Sequence, residues 1–101
     1  MQYDVIGLGV STMDLLMVVD ELPGTELVQR AHETAVAGGG PVATALVALA
    51  RLGAKTAMLD RLGDDLFGRM ILEEFGREGV DVSGIVVAEG KSSSQAAILV
   101  R

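Results

Sequence analysis

The chain has 101 residues, 50% of them hydrophobic but only 3% aromatic, and it contains no Trp. That apolar content excludes a disordered tail and leaves Val, Leu, Ile, Ala and Met to build the core. A net charge of -6 argues against nucleic acid as a partner, because an acidic surface repels phosphate, and the absence of cysteine excludes disulfides and thiolate metal sites.

The opening Met1-Gln2-Tyr3-Asp4 lacks the basic start of a signal peptide. Asp14, Asp20 and many glycines interrupt every apolar run before it could span a bilayer. No polybasic stretch is present to hold a membrane surface. A soluble cytoplasmic protein is the expectation, with neither nucleic acid nor membrane as partner.

Val5 to Val10 reads as a buried strand, and its glycines Gly7 and Gly9 permit close backbone approach. Leu15 to Val19 is a second Val-rich strand, closed by the turn Leu22-Pro23-Gly24. The segment from Glu26 to Val36 mixes polar and apolar residues, as a half-exposed strand would. Gly38-Gly39-Gly40-Pro41 then breaks the chain and opens a helix, since proline is tolerated in a first helical turn. That helix runs through the Ala-rich stretch Val42 to Leu52, carries Arg51 in its last turn and stops at Gly53.

Lys55 to Leu62 is the next strand. Asp64 or Asp65 follows in position to cap a second helix, whose apolar face is Leu66, Phe67, Met70, Ile71 and Phe75. Glu73 and Arg77 are spaced to pair on its outer face, Glu74 reads as solvated, and Gly79 ends the helix. Val82 to Val87 and Gln95 to Val100 read as two further strands, joined by a polar turn from Glu89 to Ser94. Alternating strands and helices imply an α/β layered sheet. The strands at 15–19, 26–36, 82–87 and 95–100 do not fit the alternation and suggest a small additional β-layer.

Gly38 to Ala45 carries the strongest functional signal. Glycines at a helix start let a ligand approach free N–H groups, although a tight loop without a ligand has the same composition. No Gly-Lys-Ser/Thr follows, so it is not a P-loop. Gly7-Leu8-Gly9 could open a dinucleotide fold, but a strand-like segment follows where a helix should bind pyrophosphate. Asp14 is an acidic group in an apolar stretch, costly unless paired or placed at a site, and a carboxylate accepts hydrogen bonds from sugar hydroxyls well. His32 stands alone and has no assigned role.

These pieces together resemble the PfkB (ribokinase-like) family of carbohydrate kinases. The resemblance covers essentially the whole chain. It rests on Gly9 with Asp14, the glycine-rich helix start at Gly38, its Ala50-Arg51-Leu52-Gly53 ending, Gly63-Asp64-Asp65 with Gly68, and Gly79-Val80-Asp81.

The resemblance implies the N-terminal part of a ribokinase-like three-layer α/β/α fold with a small β-sheet lid. The chain would form a single truncated domain over 1–101, with lid strands at 15–19, 26–36, 82–87 and 95–100. It implies a sugar or sugar-like alcohol as substrate, contacted by Thr12, Asp14, Gly39, Gly40 and Thr44. It implies ATP and Mg²⁺ for the parent kinase and neither for this chain alone, and a homo-oligomer formed through the lid strands.

Thr44 stands where the family usually has Asn, and Thr12 where ribokinase has Asn. The run Gly38 to Ala45 with Lys91-Ser92-Ser93-Ser94 is most similar to the sulfofructose kinase branch, but Val28 occupies the slot of that branch's sulfonate-holding lysine. Family catalysis uses a Gly-Ala-Gly-Asp motif, which this sequence does not contain, so the chain by itself is expected to be inactive. A non-catalytic sugar-binding or assembly module and a small nucleotide-binding α/β domain are the alternatives.

Overall fold

A computed structural model describes residues 2–25 and 28–101. Strand β1 (Val5–Leu8) pairs in parallel with β4 (Thr56–Leu59). Between them in sequence lie β2 (Thr12–Val19), β3 (Ala31–Gly39) and helix α1 (Pro41–Arg51). After β4 come β5 (Arg61–Gly63), α2 (Leu66–Glu78), β6 (Val86–Ala88) and β7 (Gln95–Val100). β5 and β6 form a second parallel pair, and β3-β2-β7 form a separate three-stranded sheet.

The two helices pack on one face of the parallel strands. Met58, Leu46, Leu62, Ile71, Phe75 and Val80 form the core there, joined by Ala43 from α1 and Met13 from β2. Met58 is fully buried, at 0% exposure. Truncating Leu46 or Met58 to Ala should cost about 2–5 kcal/mol, the usual loss when a large buried side chain leaves a cavity. Side chains alternate across a strand, so the neighbours of buried Gly7 point the other way. Ile6 and Leu8 are 57% and 78% exposed on that opposite face.

Both helices have the ends their sequences imply. Pro41 occupies the first turn of α1. The side chain of Asp65 accepts the N–H of Gly68 at 2.9 Å, and Gly79 ends α2 in the left-handed region at φ 79°. Across the helix pair, Arg51 donates two bonds to Glu78, at 2.7 and 2.5 Å. These bonds hold the Glu78 carboxyl below its ordinary pKa. Among the described residues Glu73 and Arg77 form no ion pair. His32 bonds Asp20 at 2.6 Å on the exposed edge of the three-stranded sheet.

Several strand boundaries correct the sequence expectations, and β1 ends at Leu8 and not at Val10. β2 starts at Thr12 and not Leu15, because Thr12 to Leu15 pair with Gly39 to Val36 and the ladder draws Asp14 into the strand. β3 covers 31–39 instead of 26–36. Residues 28–30 are not strand, and Glu26 and Leu27 lie outside the described residues. The apolar run Lys55 to Leu62 is two strands, split at Asp60, whose carboxylate accepts the N–H of Ser11 at 2.8 Å and that of Arg61 at 2.7 Å.

The largest correction concerns 82–87. Residues 82–85 form a turn, closed by Ile85 N–H to the Val82 carbonyl and by Ser83 N–H to the Asp81 carboxylate. Only Val86–Ala88 is strand, and it pairs with β5 rather than joining the three-stranded sheet. An aspartate that bonds its own backbone two residues on makes a turn, and that interrupts what apolar spacing presents as one strand.

Gln95–Val100 does join the three-stranded sheet, parallel to β2, with Asp14 opposite Ala96. Its approach is fixed at Ser93, which is 5% exposed. Ser93 gives its N–H and hydroxyl to the two Asp65 oxygens, at 2.9 and 2.7 Å, and its hydroxyl accepts the Gly63 N–H at 3.0 Å. Asp65 therefore caps a helix and anchors the entry to β7. The donated bonds, those of Ser93 first, hold its carboxyl below the usual carboxylate range.

Candidate functional site

The start of β2 and the end of β3 lie side by side, with Thr12 opposite Gly39 and Met13 opposite Gly38. Immediately after Gly39 the chain turns into α1, and Gly40 takes φ 98° and ψ 136°, a conformation essentially reserved for glycine. The glycine-rich segment is thus a strand end and a sharp turn, braced against β2.

The absence of a side chain at Gly39 is what admits the polar groups. A Cβ there would run into the Asp14 carboxylate and the Thr12 hydroxyl. Thr12 donates its hydroxyl to Asp14 Oδ1 at 2.8 Å, so the two side chains form one unit over the glycine. On the other side of the strand a Cβ at Gly38 would lie 2.6 Å from Glu74 Oε2. The Gly38 N–H donates to that same oxygen at 2.8 Å.

Between these groups lies a cavity of about 110 Å³. Ser11 lines it from just before β2, Thr12 and Gly39 from the sheet, Ala43 and Thr44 from α1, and Ile71, Glu74 and Phe75 from α2. Ser11 is 1% exposed, and its hydroxyl has no hydrogen-bond partner among the described residues. A buried polar group without a partner is uncommon and calls for a reason. Hydroxyls, one carboxylate and glycine backbone arranged around an apolar wall suit a small polyhydroxylated ligand.

Of the residues expected at the site, Thr12, Gly39 and Thr44 line this cavity together. Asp14 and Gly40 do not line it. Asp14 bonds Thr12 and lies over Gly39, whereas Gly40 makes the turn and faces the Val10 carbonyl.

Sequence reasoning missed Ser11, Glu74 and the anchoring Asp60. A signal for Glu74 existed. It follows Met70 by four residues and Phe67 by seven, which puts it on the apolar stripe and not on the solvated face.

The family description that matches residues 3–101 is that of the pfkB family carbohydrate kinases. The chain belongs to the pfkB family. Fructokinase-1 of Oryza sativa is 37% identical to this pfkB chain over 87 residues, covering 84% of the chain and 27% of that protein. Among solved structures, the fructokinase of Xylella fastidiosa superposes with a TM-score of 0.76 at 27% identity, over 94% of this chain and 29% of that one. Arabidopsis thaliana ribokinase, solved with ribose and ATP, gives a TM-score of 0.87 at 23% identity, over 98% of this chain and 32% of that one. The architecture is therefore ribokinase-like α/β, and the pfkB chain spans about a quarter to a third of the length of these relatives.

Proposed function

We propose that this chain carries the sugar-binding part of an ATP-dependent sugar kinase, with phosphoryl transfer to a sugar hydroxyl as the parent reaction. The observation that carries the proposal is the convergence of Thr12, Asp14 and the bare backbone at Gly39 beside one cavity. In this reading the Asp14 carboxylate accepts hydrogen bonds from sugar hydroxyls, Thr12 orients that carboxylate, and Thr44 adds a hydroxyl from the first turn of α1. Gly39 and Gly40 keep the backbone close to the ligand. The three-stranded sheet is the lid, and β3, one of its two edge strands, is the surface through which two copies would associate. A cytoplasmic setting accords with the cysteine-free composition. No helix among the described residues is long and apolar enough to cross a membrane.

The cavity does not fit a nucleotide triphosphate. Among the described residues the charged group in its lining is a carboxylate, and no cationic side chain lines it. Among the described residues no cluster of His, Cys, Asp and Glu could hold a metal. Phosphoryl transfer needs such groups for charge neutralisation. We assign this chain binding without turnover when it is alone. The reading as a small nucleotide-binding domain is weakened by the strand β2 that follows Gly7-Leu8-Gly9, where a helix N-terminus would be required. Within the family we place the chain nearest the sulfofructose kinase branch on its Gly38 to Ala45 run, without the sulfonate, because Val28 holds the lysine slot.

Calorimetric titration of the folded chain with a panel of sugars tests the proposal. Saturable binding that disappears in Asp14→Ala supports it. A folded chain that binds none of them overturns it.

A further inference from the structure

Two further polar groups line the cavity. One is the Ser11 hydroxyl, buried and without a partner among the described residues. Among the described residues Thr56 has the other such hydroxyl, but it does not line the cavity, whereas Ser11 is part of the cavity wall. The second is Glu74, which spends Oε2 on the Gly38 N–H and retains lone pairs on Oε1. An ionised carboxylate is purely an acceptor, and a serine hydroxyl both donates and accepts. Together they offer a hydroxyl-bearing ligand two acceptor sites and a donor.

The same groups are hostile to an anion. Among the described residues no Lys, Arg or His lines the cavity, so nothing in that wall neutralises a phosphate or sulfonate. The N-terminus of α1, represented by Ala43 and Thr44, contributes only about half a positive charge. Glu74 contributes a full negative charge at the other wall, and Asp14 adds another beside Thr12 and Gly39. The carboxylates outweigh the helix end.

We infer that this cavity selects uncharged, hydroxyl-rich ligands, with Ser11 and Glu74 as specificity-determining groups that reject a phosphate, sulfonate or carboxylate substituent. The inference rests on the sugar-site reading and narrows its substrate class. Glu74 also positions the glycine-rich loop through Gly38, so its two roles must be separated. Glu74→Gln keeps an oxygen for the Gly38 N–H, removes the charge and exchanges the second acceptor for an amide donor.

The test is titration of the full chain with fructose and ribose and with fructose 6-phosphate and ribose 5-phosphate, in wild type, Glu74→Gln and Ser11→Ala. Wild type should bind the neutral sugars at least tenfold tighter than their phosphate esters. Glu74→Gln should narrow that ratio about tenfold, as expected for one charge–charge contact near a protein surface. Ser11→Ala should weaken the neutral sugars about tenfold without lowering the thermal midpoint, because removing an unpaired hydroxyl is neutral or stabilising to the fold. Esters that bind as tightly as the sugars, or a ratio unmoved by Glu74→Gln, overturn the inference and leave the sugar site standing. Ser11→Ala with unchanged affinity removes Ser11 from it. A folded chain that binds neither class overturns the sugar-site reading and this inference together.

Discussion

Glu74 on α2 accepts the backbone N–H of Gly38 at 2.8 Å, and its carboxylate fills the space a side chain at position 38 would need. A helix 36 residues away in sequence thereby takes part in shaping the glycine-rich loop. The loop is braced from two sides, by Glu74 at Gly38 and by the Thr12–Asp14 pair at Gly39.

This bracing predicts unequal costs for adding one methyl group. Gly39→Ala should displace Asp14 and Thr12, lowering stability by about 1–3 kcal/mol, the usual cost of overpacking, and abolishing sugar binding. Gly76→Ala, which adds a methyl to open space on α2, should be neutral to stabilising by up to about 1 kcal/mol, since Ala is the better helix former. Urea denaturation of the two variants checks the contrast.

Asp14→Asn should keep the fold, because the amide oxygen still accepts from Thr12, and should weaken sugar binding. Hydrogen bonds to charged groups contribute about 1.5–3 kcal/mol, which is roughly 10- to 100-fold in affinity. Calorimetry on a variant with wild-type circular dichroism measures it. Unchanged affinity would remove Asp14 from the site.

Tyr3 and Asp81 predict stability loss at both ends of the pH range. The Tyr3 hydroxyl donates to the Asp81 carboxylate. That bond is the first cause holding Asp81 down to about 2, against an ordinary 3.8. A depressed carboxyl stabilises the fold above its unfolded pKa, and that contribution fades as pH falls from about 4 toward 2. The Tyr3 hydroxyl is raised above its ordinary 10.0 by the same bond. Its contribution is complete below pH 10 and fades as pH rises through the folded value. Tyr3→Phe should flatten both flanks of a urea-midpoint profile against pH, and a variant profile parallel to wild type would rule the coupling out.

Self-association should occur, and two surfaces compete for it. Ile6 and Leu8 leave an apolar face uncovered on the parallel strands, and β3 leaves an open strand edge in the small sheet. Light scattering should give a mass above the monomer at high concentration. Val36→Lys on β3 should reduce it if copies meet through the small sheet, and Ile6→Lys if they meet through the parallel strands. A monomeric wild type at every concentration would end the oligomer proposal.

Sequence by itself determined the elements whose causes are local. Pro41 starting α1, Asp65 capping α2, Gly79 ending it and the apolar spacing of Ile71 and Phe75 all act within one or two helical turns, so they are legible in one dimension. The motifs were equally legible, and Thr12, Gly39 and Thr44 do meet at one cavity. Only the tertiary structure decided which strands share a sheet. Val86–Ala88 and Gln95–Val100 have similar apolar composition, yet one pairs with β5 and the other with β2. That choice rests on the Ser93–Asp65 anchor, a contact between residues distant in sequence, acting beside the local turn at Asp81. Glu74 belongs with them. Its spacing puts it on the buried side of α2, but only packing brings Gly38 to its carboxylate, and no single-chain pattern encodes a partner 36 positions away.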